Sequence, residues 1–268
     1  MAGEEERKRV LVVGGSGYLG QHLLAASSAA DRLDVAFTHH SPAPPQPLLD
    51  ALPLRPRLPR RPPLRRRPRG DLRVLRPVYE GVKSFYKEED ETVPVNMYGK
   101  SKVAAEKLIV EKCSNYAILR SSIIYGPQTI SPVAKSLPVQ WMDGVLSQGQ
   151  QVEFFNDEFR CPVYVKDMVD VILSLTKTWL SDGKKVQVLL NVDGPDRVSR
   201  LQMAESVAVV RGYNPSIIKS VSASSVNRGV ASPPDISMDI TKLTQILGIK
   251  PISFQDGVRS TLDAEAST

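Results

Sequence analysis

Two groups of residues have types and spacing suited to chemistry. In Gly14-Gly15-Ser16-Gly17-Tyr18-Leu19-Gly20 the glycines allow a tight turn that brings backbone amides close to an anion. They fit the G-x-G-x-x-G register as Gly15, Gly17 and Gly20, and a wider register as Gly14, Gly17 and Gly20. Tyr98 and Lys102 stand four residues apart, which places them on one face of a helix. An ammonium at that distance favours phenolate over phenol, so Tyr98 can give its proton to a developing alkoxide. Tyr79 and Lys83 repeat the spacing, but Gly81 and a polar run follow Tyr79. Tyr98 instead leads into a helix-forming run at 102–110, with Asn96 placed to cap it.

A glycine turn of this kind needs a buried strand before it and a helix after it. Residues 10–13 are apolar and β-branched, as in a parallel strand covered on both faces, and 21–30 read as the helix. A second strand is expected at 35–38. An acid at its end would bind ribose hydroxyls, yet His39, His40 and Ser41 follow it, and Asp34 precedes it. With Arg55 and Arg57 further on, this tilts the expected cofactor to NADP, with NAD as the other choice. Later, 141–146, 167–180 and 201–211 read as helices, the last capped by Ser199 and stopped by Gly212. Residues 151–155 and 189–192 read as strands.

Between these parts lies a tract, 42–77, with 11 of the chain's 21 prolines and ten arginines. Proline denies strands their ladder bonds and breaks helices, so the tract is expected to be irregular, with 72–75 as its one short strand. Several strand-helix units would normally fill this interval, so an edge of the first strand is expected to lack its neighbour. A basic arm, a linker and an out-of-frame stretch of a GC-rich gene each fit the composition; the abrupt shifts at both ends favour the last. Ten arginines against Asp50 and Asp71 give the tract +8, more than the chain's +6, so the rest carries about −2. The basic balance is thus no argument for nucleic-acid binding. Cys113 and Cys161 lack metal-like spacing and read as reduced thiols of a cytoplasmic protein. The N-terminus lacks an apolar h-region, and no apolar run has the length to span a bilayer.

With these residues in hand, the chain resembles the extended short-chain dehydrogenase/reductase superfamily, and within it the dTDP-4-dehydrorhamnose reductase branch, to which the methionine adenosyltransferase regulatory β subunit also belongs. The resemblance rests on residues 10–24, 78–81, 88–90, 94–102, 119–127, 160–167, 194–199, 234–239 and Lys242-Leu243, and covers 8–41 and 78–262. It implies an incomplete Rossmann-like, doubly wound parallel sheet. The dinucleotide-binding domain would span 8–193, interrupted by 42–77 and by a lobe segment at 128–160, and a small substrate-side lobe would span 194–268. It further implies that Gly14, Gly17 and Gly20, with Tyr18 and Leu19, hold the cofactor pyrophosphate. Tyr98 would be the acid and Lys102 the ribose anchor, Ser121 and Ser122 would lie near the nicotinamide, and Ile123 would face the substrate. Arg160 and Arg200 are candidate phosphate ligands for a nucleotide sugar. The branch carries a catalytic hydroxyl where this chain has Val74, Leu75 and Arg76, and its Asn-Ala-Ala strand has no counterpart. The implied partner is a nucleotide-sugar substrate or, for a regulatory subunit, a methionine adenosyltransferase catalytic subunit.

Overall fold

The β-branched run after Lys8 forms a parallel strand, and the glycine turn hands the chain to a helix. A computed structural model describes residues 8–28, 33–39, 46–52, 71–75, 78–182, 185–229 and 231–266. In it β1 (Lys8–Val12) runs parallel to β2 (Leu33–Phe37), with Val10 opposite Val35, and α1 (Tyr18–Ser28) connects them. Next come α2 (Gln46–Ala51), β3 (Asp71–Leu75), α3 (Met97–Lys112), β4 (Tyr116–Arg120) and β5 (Ile124–Tyr125). The chain continues through α4 (Pro138–Leu146), β6 (Val152–Phe155), β7 (Phe159–Arg160), β8 (Val163–Tyr164), α5 (Val165–Asp182) and β9 (Gln187–Asn191). It closes with β10 (Val198–Ser199), α6 (Arg200–Arg211), β11 (Ile218–Val221), α7 (Thr241–Leu247) and α8 (Phe254–Ala266).

Parallel strands alternating with helices make this a Rossmann-like α/β fold, and its sheet is interrupted. Strands β3, β4 and β9 form one parallel sheet in that order, with Val74 opposite Leu119 and Leu119 opposite Leu190. Strands β1 and β2 form another. A doubly wound sheet flanks its first strand on both sides. Among the described residues β1 is bonded to β2 alone; its Leu11 is 60% exposed and Val13, just past its end, 65%, against 8% for Val12. A strand expected to be covered on both faces is therefore covered on one.

The tract is not irregular throughout. Helix α2 lies inside it, with Pro47 as its second residue, where a helix needs no amide donor. Leu48 and Leu52 are buried with Val12 and Leu24, so α2 supplies part of the core over the covered face of β1. Strand β3 pairs in register with β4, as expected for 72–75. Residues 53–70 lie outside the described residues.

Helix α5 carries Met168, Val171, Ile172 and Leu175 onto Ala117, Leu119 and Leu190 of the three-stranded sheet, and Leu19 and Leu23 of α1 pack against the same core. A second core draws Met142, Phe154, Met203, Val207, Phe254 and Leu262 together from α4, β6, α6 and α8. The expected cap and stop both hold: Ser199 and Gln202 form a capping box at the start of α6, and Gly212 ends that helix with a left-handed backbone.

Candidate functional site

The glycine turn is tied to the end of β2 by one residue. Thr38 Oγ1 accepts from the Gly14 amide at 3.0 Å, and Thr38 O accepts from the Gly15 amide at 2.9 Å. A Cβ added at Gly20 would collide with Gly14 O and would lie 2.7 Å from the Gly15 Cα, so only glycine lets α1 approach the turn this closely. The first-turn amides of α1, including those of Tyr18, Leu19 and Gly20, have no intrahelical acceptor, which leaves donors and the positive end of the helix dipole at the turn.

Side chains of α1 then reach across the molecule. Tyr18 Oη donates to Pro127 O at 3.2 Å, and burial pushes its pKa up. His22 Nε2 meets the same carbonyl at 3.2 Å. Gln21, 2% exposed, donates from Nε2 to Ser131 O at 2.8 Å and accepts from the Ser131 amide at 3.0 Å. Gly126 has a φ of 153°, and a Cβ there would lie 3.0 Å from Tyr18 Oη, so a bulkier residue would push this tie apart. Leu19 has its side chain in the α5 core.

Tyr98 and Lys102 sit on the first turns of α3. Asn96 Oδ1 accepts from the Gly99 amide at 2.9 Å, and its Nδ2 donates to Ala231 O at 3.2 Å, which fixes the helix start as well as capping it. Tyr98 is 52% exposed, and Lys102 Nζ lies 4.8 Å from its ring centroid. The rival pair separates. Tyr79 is buried, stacked on Tyr86 at 4.2 Å, with its hydroxyl accepting from Arg120 Nη1 at 2.6 Å and donating to Lys87 O at 3.0 Å. Burial first, tempered by Arg120, moves its pKa to about 12. Lys83 pairs with Asp90.

Ser121 and Ser122 follow β4 at the carboxyl edge of the sheet, where open α/β sheets take ligands. Both are buried, and Ser121 Oγ has no partner among the described residues. The Ser122 amide donates to Asp193 Oδ1 at 2.8 Å, and Ser122 Oγ lies 2.9 Å from both Asp193 Oδ1 and Cys161 O. Ile123 packs partly buried against the second core. Arg160 is 5% exposed, with Nη1 donating to Phe159 O and Pro234 O and Nη2 to Ser232 Oγ. Burial, followed by the nearby Arg200 charge, lowers its pKa to about 10. Arg200 instead lines a cavity of about 410 Å³ with Trp141, Phe154, Phe155 and Glu153.

The expected residues thus fall into three groups: the turn with its ties to 126–131, the Tyr98–Lys102 pair, and the Ser121–Ser122 edge. No hydrogen bond or ring contact among the described residues joins Tyr98 to the other two. Sequence reasoning passed over Thr38, Gln21 and Asp193. Thr38 and Asp193 share a signal, a polar residue within two positions of a strand's carboxyl end, whereas nothing in the sequence distinguishes Gln21. Among the described residues no cluster could hold a metal, and no helix is long and apolar enough to cross a membrane.

The family model described as the RmlD substrate binding domain matches residues 77–267. Curated relatives include methionine adenosyltransferase 2 subunit beta of Pongo abelii, 27% identical over 186 residues, which are 69% of this chain and 54% of the relative. Another is the probable low-salt glycan biosynthesis reductase Agl14 of Haloferax volcanii, 25% identical over 67% of this chain and 58% of its own length. The chain therefore spans little more than half the length of these relatives. The dTDP-4-dehydrorhamnose reductase of Bacillus anthracis, solved in complex with NADP, superposes with a TM-score of 0.73 over 98% of this chain and 100% of that one. At 16% identity, that likeness is one of fold.

Proposed function

The chain belongs to the RmlD substrate-binding domain family, and from that premise we propose that it is an NADP-linked, reductase-like protein directed at the 4-ketone of a nucleotide sugar. The observation that carries the reading is the glycine turn, pinned by Thr38 and facing the first-turn amides of α1. The residues present fit a dinucleotide. Gly14, Gly17 and Gly20, with the amides of Tyr18 and Leu19, would hold the pyrophosphate, and Lys102 the ribose. Ser121, whose hydroxyl has no partner among the described residues, and Ser122 would meet the nicotinamide. No acid follows β2, which favours NADP over NAD.

NADPH, when bound, supplies the hydride for the carbonyl carbon. This chain's part is the proton, which Tyr98 Oη gives to the carbonyl oxygen as charge develops there, while the Lys102 ammonium favours the resulting phenolate. On the substrate side Ile123 is the expected contact; Arg160, buried with its guanidinium bonded to Phe159 O, Pro234 O and Ser232 Oγ, would have to release those bonds to meet a substrate. The cavity with Arg200, Trp141, Phe154 and Phe155 suits a nucleotide, offering aromatic faces to a base and a guanidinium to a phosphate. We assign 8–193 to the cofactor domain, interrupted at 42–77 and 128–160, and 194–268 to the substrate side. Two free cysteines accord with a cytoplasmic setting.

One observation favours a second reading. Strand β3 ends in Val74-Leu75, with no hydroxyl where the reductase branch carries one. A regulatory subunit that keeps the dinucleotide site and binds a methionine adenosyltransferase catalytic subunit has no need of that group.

Thermal unfolding with and without NADPH and NADH tests the cofactor site. An unfolding midpoint raised by NADPH is expected, since a ligand of the folded state stabilises it by linkage, and an unchanged midpoint with both removes the proposal. NADPH oxidation with a 4-keto sugar nucleotide then separates the two readings. Tyr98→Phe should cut turnover about 10²–10⁴-fold while leaving NADPH affinity unchanged. No turnover in the wild type, with capture of the adenosyltransferase catalytic subunit, would establish the second reading.

A further inference from the structure

We infer that Asp193 is a neutral carboxylic acid at neutral pH and that, as such, it is the positioning residue that fixes the Ser121–Ser122 turn at the carboxyl edge of the sheet. Ser122 Oγ has two oxygen neighbours and one proton to share. Ser122 Oγ lies 2.9 Å from Cys161 O and 2.9 Å from Asp193 Oδ1. A hydroxyl has one proton, and a carbonyl has none to give. Both contacts are full two-centre hydrogen bonds when Asp193 Oδ1 carries a proton and donates it to Ser122 Oγ, whose own proton goes to Cys161 O; with Asp193 ionised, one hydroxyl proton would have to be shared between the two oxygens. The second lone pair of Oδ1 accepts from the Ser122 amide at 2.8 Å.

Desolvation acts in the same direction. Asp193 is 0% exposed, and its Oδ2 has no partner among the described residues. An ionised carboxylate has about four acceptor sites to satisfy, and burying one without a paired cation is costly. Arg160, on β7, is the cation nearest in effect. Its hydrogen bonds run to Phe159 O, Pro234 O and Ser232 Oγ instead, and its ion pair, at 4.0 Å, to Glu158. Cys161, the other titratable group facing Asp193, is itself held as a thiol, chiefly by burial, while Asp235 and Arg197 act on that thiol from beyond. Burial likewise drives the Asp193 pKa well above the ordinary carboxylate value, against the pull of Ser122 and Arg160.

Asp193 lies two residues beyond β9, and Ser122 two beyond β4, on paired strands. Proton-mediated bonding between them clamps the two strand ends together without placing a charge under the edge. That the clamped turn serves a nicotinamide rests on the proposed function. The protonation does not.

The test compares wild type with Asp193→Asn and Asp193→Ala. The infrared difference spectrum of wild type minus Asp193→Asn at neutral pH should contain a protonated-carboxyl C=O stretch. The sign of the pH effect follows from linkage. With a raised folded pKa, the folded chain keeps a proton that the unfolded chain releases above about pH 4, so stability falls as pH rises until the folded pKa is passed. The folding equilibrium constant of the wild type should therefore drop by about tenfold more per pH unit than that of Asp193→Asn over that window. Hydrogen exchange at the Ser122 amide should stay slow in Asp193→Asn, which keeps the acceptor, and quicken about tenfold in Asp193→Ala. Absence of the infrared band together with equal pH slopes would overturn the neutral acid. Equal protection of Ser122 in wild type and Asp193→Ala would overturn the positioning role. If Asp193→Ala does not fold, loss of Ser122 protection in Asp193→Asn is the overturning result. A wild type that shows band, slope and protection yet binds no NADPH would sink the cofactor reading and leave this one standing.

Discussion

The two ends of the described chain solve the same problem by different means. Residues 78–266 are held by continuous cores and by a buried charged network. Arg120 makes a two-pronged ion pair with Glu106, at 2.7 and 2.9 Å, and also reaches Tyr79 Oη and Glu88 O. Tyr86 Oη accepts from the amides of Gly81, Val82 and Lys83, which winds the preceding turn around one phenol. Residues 8–52 have a small core of Val12, Leu24, Leu48 and Leu52. Their attachment to the remainder runs through Leu19, Leu23 and the bonds of Tyr18, Gln21 and His22, with no strand ladder among the described residues. A ladder adds one backbone bond after another in register. A side-chain tie contributes about 0.5–1.5 kcal/mol and is lost singly. The difference teaches that the glycine turn stands on the less secured of the two regions.

Both tryptophans, Trp141 and Trp179, lie in the larger region, so their fluorescence reports its unfolding, while hydrogen exchange at β1 amides reports the smaller one. The largest effect is expected from Glu106→Ala, which leaves a buried guanidinium unpaired and should lower the tryptophan-monitored stability by about 3–5 kcal/mol. Next, Gly20→Ala forces a methyl group into the turn. It should cost about 1–3 kcal/mol, read in β1 exchange with the tryptophan transition unmoved. Equal shifts in both probes would show one cooperative unit and break the comparison. Smallest is Leu11→Lys combined with Val13→Thr, expected within about 0.5 kcal/mol of wild type because both side chains stand in solvent. A loss well beyond that would mean that this face of β1 is covered.

What was legible in the sequence was local. The β1 run, the caps at Asn96, Ser199 and Gly212, and the short strand in the tract each follow from a residue's own backbone preference or hydrogen-bonding habit, and each is found. The break in the sheet was legible too, because a missing strand-helix unit is a matter of length and composition. Helix α2 was not, since proline density argues against a helix unless the proline falls in its first turn. Pairings distant in sequence were also beyond reach: Thr38 with Gly14, Gln21 with Ser131 and Ser122 with Asp193. Arg160 reads as a candidate phosphate ligand, and its burial follows from a carbonyl and a hydroxyl supplied more than seventy residues later.

Gln21 bonds Ser131 with both halves of its amide and, through Nε2, also reaches Ser16 O inside the glycine turn at 2.9 Å. One side chain thereby spans the strip where a dinucleotide would rest and the loop that leads into α4. A ligand that ordered the strip would act on a side chain that also holds the loop, and any coupling between the two would be reciprocal by the same factor. In a chain whose sheet is broken between its two regions, Gln21 is a shared hinge pin between the glycine turn and the loop before α4.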